Sequence, residues 1–183
     1  MSELSQEKFT TALKVPPQSL EAEQSVLGGL MLDDQSWFDL VEVVKPGDFY
    51  RTQHQIIFEA MMTIENKDQP LDAVTLSEEL QNQGQLEKVG GVGYLAELSD
   101  STAGATNVLA WAKIVRERSI LRQLIGAANN ISDAAFNPEG RDSDTLLEIA
   151  EQTVFQIAEN QVKDGGPEKI GPALLQKSVE KVQ

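Results

Sequence analysis

The feature that most constrains the fold is a run of about thirty residues, starting at Asn107, that no proline interrupts before Pro138. Apolar side chains recur through it at intervals of three and four, the spacing of one face of an α-helix. These positions are Val108, Trp111, Ile114, Val115, Leu121, Leu124, Ile125, Ala128 and Ile131. An average globular helix has about 11–12 residues. The run therefore predicts one unusually long helix.

A second long helix is predicted directly after it. The stretch NPEGRD (137–142) has the composition of a turn, and Asp142 or Ser143 can cap the helix that follows. The apolar residues of this second helix again step by three and four, at Leu147, Ala150, Val154 and Ile157. Two long helices joined by a short turn form an antiparallel hairpin, which we predict over residues 107–161.

The residues before the hairpin predict a compact helical head, residues 19–106. Apolar spacing and capping signals indicate helices from Ser19 to about Leu32, at 37–44, after Thr52 and at 72–83. Thr52 and Gln55 have the spacing of a capping box. The pair Gly28-Gly29 weakens the first helix but also permits another helix to approach closely. No run alternates with a period of two for long enough to indicate a strand, so the predicted fold class is all-α.

Composition excludes several classes of function. The chain has 29 acidic and 15 basic residues, for a net charge of −14, which argues against direct binding to nucleic acid because that relies on clustered Lys and Arg. It has no cysteine, so disulfides and zinc–thiolate sites are excluded. The first residues lack a signal-peptide core, and no apolar run is long enough to span a membrane. We expect a cytoplasmic protein.

Three glycines in the stretch KVGGVGYLAEL (88–98) invite comparison with phosphate-binding loops. A P-loop needs a Lys and a Ser or Thr after its last glycine, and a dinucleotide loop needs a third spaced glycine after a strand. Neither condition is met. We therefore expect a turn between helices, with glycines at positive φ and a helix starting at Val92 or Gly93 that buries Tyr94, Leu95 and Leu98.

His54 is the single histidine of the chain and lies on the apolar stripe of its helix. A core or boundary histidine is the simpler interpretation, and no second ligand at metal-binding spacing accompanies it. An enzyme that uses His54 remains one alternative, and a stand-alone oligomeric adaptor is another. We predict no catalytic residue, cofactor or metal in this chain.

The two ends differ from the middle. Residues 1–18 are polar, end at Pro16-Pro17 and are predicted to form a flexible arm. Residues 162–183 begin with the break VKDGGPEK and continue as a short amphipathic helix that runs to the last residue without a stop signal. We expect the chain to be a truncated piece of a longer protein.

Four blocks of sequence resemble successive segments of one family, the N-terminal region of bacterial replicative DNA helicases of the DnaB type. They are VPPQSLEAEQSVLGGLMLD (15–33), DFYRTQHQIIFEAM (48–61), LEKVGGVGYLAELSDS (86–101) and IVRERSILRQLI (114–125). The resemblance implies a non-catalytic collar of a ring-shaped hexamer. The parent motor would unwind DNA from 5′ to 3′, and its RecA-like domain, absent here, would hold ATP and Mg.

The resemblance also implies partners and interface residues. Hairpins would pair between subunits to form dimers or a hexamer ring, the collar would recruit the C-terminal domain of primase, and a helicase loader is a further candidate partner. The matching positions for primase are Tyr94, Ile125 and Ile131. Our choices for the subunit interface are Leu147, Val154 and Ile157, and those for the packing of the linker helix are Leu174, Leu175 and Val179. Ile125 and Ile131 lie about 120° apart around a helix, so at least one is expected to face outward.

Overall fold

The computed structural model describes residues 15–102 and 107–164, the last four by their backbone alone. Within these ranges the chain is all-α, as the sequence predicts, and contains no strand. Short 3₁₀ turns lie at Pro46–Asp48 and Glu87–Val89. The α-helices of the described residues are α1 (Leu20–Leu32), α2 (Trp37–Val43), α3 (Thr52–Asn66), α4 (Ala73–Asn82), α5 (Gly91–Ser101), α6 (Val108–Phe136) and α7 (Ser143–Asp164).

Capping signals located the starts of three helices correctly. The hydroxyl of Ser19 accepts a hydrogen bond from the backbone N–H of Ala22 at 3.3 Å and caps α1. Asp72 caps α4, with its carboxylate 2.8 Å from the backbone nitrogen of Val74. At α7, the carboxylate of Asp142 accepts from the backbone N–H of Thr145 at 2.9 Å. Capping hydrogen bonds can be predicted from the sequence because donor and acceptor are only a few residues apart.

The predicted capping box at Thr52 and Gln55 is wrong. Helix α3 begins at Thr52, but its N-cap residue is Arg51 and no side-chain cap hydrogen bond forms. The amide of Gln55 instead donates to the carbonyl oxygen of Phe49 at 2.7 Å. The Gln55 side chain therefore binds the loop before α3 and does not cap the helix. Sequence spacing alone predicted the wrong hydrogen-bond partner for it.

One apolar core joins the head to the first part of the hairpin. Aromatic rings of α2, α3 and the intervening loop pack against each other, with Phe58 centred 5.6 Å from Trp37 and 5.1 Å from Phe49. The largest fully buried side chains are Phe49, Phe58, Leu27, Leu30, Leu40, Ile57, Met61, Ile64, Leu76, Leu80, Leu95 and Leu98. Helix α1 is central because it packs against α3, α5 and α6.

Helix α6 runs through two environments. In its first half, Val108, Ala112 and Val115 are buried in the core of the head. Its second half is largely exposed, with Ala127 buried close to α7. The apolar core therefore continues across the predicted boundary between residues 106 and 107.

The face of α7 that packs on α6 differs by one position from the predicted stripe. The half-buried residues that face α6 are Leu146, Ala150, Thr153 and Ile157. Leu147 and Val154, predicted in this stripe, are exposed instead. The adjacent leucines at 146 and 147 offer two overlapping stripes about 100° apart, and the packing selects the one that contains Leu146.

Parts of the sequence predictions lie outside the described residues. These are residues 1–14 of the predicted arm and the linker-helix positions Leu174, Leu175 and Val179. The described end of the arm contacts α6, since the carbonyl oxygen of Pro17 accepts a hydrogen bond from Arg122 Nη1 at 2.7 Å. In the part of the chain that the structure describes, no helix is long and apolar enough to cross a membrane.

Candidate interaction site

A buried polar chain starts at Glu23 on α1. Its side chain is almost fully buried, with 1% of the residue exposed. One carboxylate oxygen accepts a hydrogen bond from the backbone N–H of Tyr50 at 2.6 Å. The other lies 2.6 Å from Nδ1 of His54 and 3.4 Å from the backbone nitrogen of Arg51. A buried carboxylate is tolerated here because donors surround it.

The polar chain ends at Tyr94 on α5. His54, fully buried, has its Nε2 2.7 Å from the Tyr94 hydroxyl. The two rings are stacked, with centroids 6.1 Å apart and an interplanar angle of 5°. Gln24 donates to the same hydroxyl at 3.4 Å. Tyr94 is half-buried, so it carries the polar chain from the core to the surface.

The glycines before Tyr94 form the predicted turn. Gly90 and Gly91 have φ of 104° and 70°, a conformation that glycine adopts without steric cost. A Cβ at Gly90 would lie 2.9 Å from the Cβ of Tyr94. Helix α5 starts at Gly91, one residue before the predicted range, and buries Leu95 and Leu98. This glycine stretch therefore positions Tyr94.

A second polar cluster joins the head to the hairpin and is centred on Asp48, which is 3% exposed. One of its carboxylate oxygens accepts from Ser119 Oγ at 2.6 Å and from Arg116 Nη1 at 2.8 Å. Its other oxygen accepts from the backbone N–H of Lys45 at 2.8 Å. Arg122 donates to the Asp48 carbonyl oxygen at 2.5 Å. We call this cluster the Asp48 joint.

The side chains predicted to contact primase on α6 are placed differently from each other. Ile125 is 48% exposed. Ile131 is half-buried and lines an apolar groove of about 350 Å³ between α6 and α7. Other residues that line this groove are Ala134, Ala135, Leu146, Leu147 and Ala150. Tyr94 belongs to the head, whereas Ile131 lies near the end of the hairpin.

The predicted subunit-interface residues are split between two faces of α7. Leu147 and Val154 are exposed, by 67% and 47%. Ile157 is half-buried close to α6, beside Gly126 and Ala127. Leu147 and Val154, seven residues apart, share a face and are available to a partner.

Sequence reasoning missed the most exposed aromatic residues of the hairpin. Phe136, 83% exposed, ends α6, and Phe155, 62% exposed, lies on α7. Periodicity passed over both because they lie outside the apolar stripes. The signal that could have found them is the residue type itself, since a phenylalanine outside the stripe that packs a helix has no partner within the hairpin.

The hairpin turn also carries a perturbed carboxylate. Hydrogen bonds from the side chain and backbone of Thr145 hold the pKa of Asp142 below its ordinary value, which fits a helix cap. Among the described residues, no group of three or more His, Cys, Asp or Glu side chains could hold a metal ion. The arrangement offers apolar and aromatic contacts, suited to docking another protein.

Comparison with known proteins places this arrangement in a family. The sequence model described as "DnaB-like helicase N terminal domain" matches residues 15–117. The chain is 42% identical over 179 residues to the replicative DNA helicase DnaB of Haemophilus influenzae, covering 97% of this chain and 38% of that protein. The chain thus spans little more than a third of that relative.

Solved structures agree. The N-terminal domain of DnaB helicase from Mycobacterium tuberculosis is 36% identical, with a TM-score of 0.74 over 78% of this chain and 99% of that one. A DnaB-like replicative helicase, described together with its interactions with primase, shares the fold at 20% identity and a TM-score of 0.62, over 90% of this chain and 36% of that one. With more than half of its residues matched by the family model, the chain belongs to the DnaB-like helicase N-terminal domain family.

Proposed function

We propose that this chain is the non-catalytic N-terminal collar of a bacterial replicative DNA helicase. Its hairpin joins subunits into a dimer or hexameric ring, and its surface recruits the C-terminal domain of primase. DNA unwinding, driven by ATP and Mg, belongs to a motor domain of the parent protein. The chain acts in the cytoplasm and makes little direct contact with nucleic acid, because its net charge is −14.

The observation that carries the proposal is the exposed apolar surface of the hairpin. Large apolar side chains are exposed at Ile125, Phe136, Leu147, Val154 and Phe155. Monomeric proteins rarely leave extended apolar patches in water, and such patches mark sites of association. A relative of the same fold is described as interacting with primase, which supports primase as one partner.

The self-association part is tested by sedimentation of the full chain over a range of concentrations. We expect concentration-dependent dimers or larger rings. Leu147→Asp should weaken this association by roughly tenfold or more, because it places a charge in an apolar contact. Gln152→Asp, an exposed position on the same helix, adds the same charge and should have little effect. Equal effects of the two substitutions would contradict the hairpin interface.

The recruitment part is tested by adding the C-terminal domain of the cognate primase to the same experiment. We expect the primase domain to co-sediment with the chain. Ile125→Asp should weaken that complex, whereas Asn129→Asp, one turn further along α6 and also exposed, should leave it nearly unchanged. If the wild-type chain does not co-sediment with the primase domain even when both are at high concentration, primase recruitment by this region would be overturned.

A further inference from the structure

The carboxylate of Glu23 and the ring of His54 are in contact in the core of the head. The Glu23 carboxylate also accepts hydrogen bonds from backbone N–H groups of residues 50 and 51. An ionised carboxylate only accepts hydrogen bonds. With Glu23 ionised, its contact of 2.6 Å with Nδ1 of His54 places a proton on Nδ1.

The Tyr94 hydroxyl is the next group in this series of hydrogen bonds, on the other side of His54. In a neutral imidazole with a proton on Nδ1, Nε2 keeps its lone pair and accepts. The Tyr94 hydroxyl lies 2.7 Å away and has one proton to donate. Its oxygen already accepts from the side-chain amide of Gln24. With a neutral His54, the hydrogen bonds run from Gln24 to Tyr94, from Tyr94 to His54, and from His54 to Glu23.

We propose that Glu23 holds His54 as the neutral Nδ1–H tautomer, and that His54 thereby turns the Tyr94 hydroxyl inward and fixes the Tyr94 ring as a preformed docking element. Glu23 and His54 are positioning residues, because they act on a partner only through Tyr94. The tautomer assignment rests on these contacts with Glu23 ionised and His54 neutral, whereas the docking role rests on the proposed function. Preorganisation of this kind reduces the entropy lost on binding.

The block DFYRTQH (48–54) contributes residues to both polar clusters. Its backbone at Tyr50 and its side chain at His54 both donate to Glu23. Its first residue, Asp48, holds the hairpin through Arg116 and Ser119. One short segment thus connects the Tyr94 surface and the base of the hairpin through separate hydrogen bonds.

The tautomer is measured directly in the full chain labelled with ¹⁵N-histidine. Because the chain contains one histidine, the imidazole nitrogen signals in a long-range proton–nitrogen NMR spectrum at neutral pH belong to His54. We expect a protonated Nδ1 and an unprotonated Nε2. A proton on Nε2 alone, or on both nitrogens, would overturn the inference.

Two variants separate the contributions of Glu23 and Tyr94. Glu23→Gln replaces one acceptor oxygen by an NH₂ donor, so the His54 proton should move to Nε2. Tyr94→Phe removes the partner of Nε2 and leaves Glu23 in place, so the proton should stay on Nδ1. If Glu23→Gln does not fold, the wild-type and Tyr94→Phe spectra still decide the assignment. Loss of the Nδ1 proton in Tyr94→Phe would contradict control by Glu23.

The docking role is tested by titrating the primase C-terminal domain against the same proteins. Glu23→Gln and Tyr94→Phe should each weaken binding by roughly three- to tenfold, the effect of about one hydrogen bond. The double variant should bind the primase domain with about the affinity of the weaker-binding single variant. Both substitutions remove the same constraint on Tyr94, so their effects should not add. Additive losses would refute positioning through Tyr94.

Failure of the proposed function has a different signature. A wild-type chain that shows the Nδ1–H tautomer but does not bind the primase domain would overturn the docking role and support the tautomer assignment. A chain that binds the primase domain but carries the Nε2 proton would overturn the tautomer and leave primase recruitment intact.

Discussion

At the scale of single residues, Gly28 shows how one hydrogen atom in place of a side chain sets a helix crossing. A Cβ built at Gly28 would lie 2.0 Å from Thr102 Oγ1 and 2.1 Å from the Leu98 carbonyl oxygen. The second of these atoms belongs to the backbone, so it cannot rotate away. Helices α1 and α5 can pack this closely because Gly28 has no side chain.

Gly28→Ala should therefore lower the free energy of unfolding by about 3 kcal/mol, the upper range for overpacking a core. Denaturant unfolding followed by circular dichroism measures it. The matched control is Gly126→Ala in α6, where an added Cβ has no atom within 4 Å. That change should be stabilising by up to about 1 kcal/mol, because alanine is the better helix former. Similar behaviour of both variants would disprove the close contact.

The sequence predicted part of this arrangement. A glycine pair inside an apolar helix indicates close approach of another helix, and that prediction is confirmed at Gly28. The contacting residues, Leu98 and Thr102, could not be predicted because they are about 70 residues away and no local pattern links them. The same limit applied to His54, which was correctly expected in the core. Its partner Glu23 was not predicted because an acid on a helix is usually solvated.

Glu79 makes a pH-dependent contribution to the free energy of unfolding. Hydrogen bonds from Lys67 at 2.6 Å and Gln83 at 2.7 Å lower the pKa of Glu79 from its ordinary value of 4.5. The unfolded chain therefore binds the proton more readily, and the contribution is present above about pH 4.5 and lost as the pH falls through the lower folded pKa. Lys67 is half exposed, so solvent screens the pair and limits its contribution to about 1 kcal/mol.

Glu79→Gln should lower the free energy of unfolding at neutral pH by about 0.5–1 kcal/mol. Its difference from the wild type should shrink in acid, as the pH falls through the lowered pKa of Glu79 and its carboxylate takes up a proton. Urea titrations at both pH values test this, with Glu78→Gln, an exposed neighbour, as the control at neutral pH. A difference that persists unchanged in acid would exclude the ionised pair as its cause.

At the scale of elements, the Asp48 joint fixes the long helix to the head. Asp48 lies in the 3₁₀ turn at 46–48, and its partners Arg116, Ser119 and Arg122 lie on successive turns of α6. The sequence predicted the long helix from its periodicity. It could not predict the joint, because Asp48 and its partners are about 70 residues apart.

Removing the central carboxylate should weaken the whole fold. Asp48→Ala takes the acceptor away from two buried or nearly buried donors, so we expect a loss of about 3 kcal/mol in the free energy of unfolding. Thermal and denaturant unfolding would measure it. Asp100→Ala, at an exposed position on α5, should change stability by less than about 0.5 kcal/mol. A small effect of Asp48→Ala would indicate that apolar packing alone holds α6.

At the scale of the molecule, the head and the hairpin share one core. Val108, Ala112 and Val115 of α6 are buried with the helices of the head. A chain that ends at residue 106 should therefore fail to fold, whereas one that ends at residue 123 keeps these residues and the Asp48 joint and should fold. Circular dichroism and the cooperativity of unfolding distinguish the two outcomes. Cooperative folding of the shorter chain would show that the head is independent of α6.

The continuity of α6 has a mechanical consequence. The helix spans 29 residues, about 44 Å, of which residues 123–136, about 21 Å, extend past Arg122, the last residue that anchors it in the Asp48 joint. A rigid rod held at one end is a lever, and a tilt of about 10° at the Asp48 joint moves its far end by about 4 Å. Such a displacement is larger than the gaps between close-packed side chains. A protein bound at the tip would therefore sense small rotations at the base, transmitted through α6 and the α7 helix packed on it.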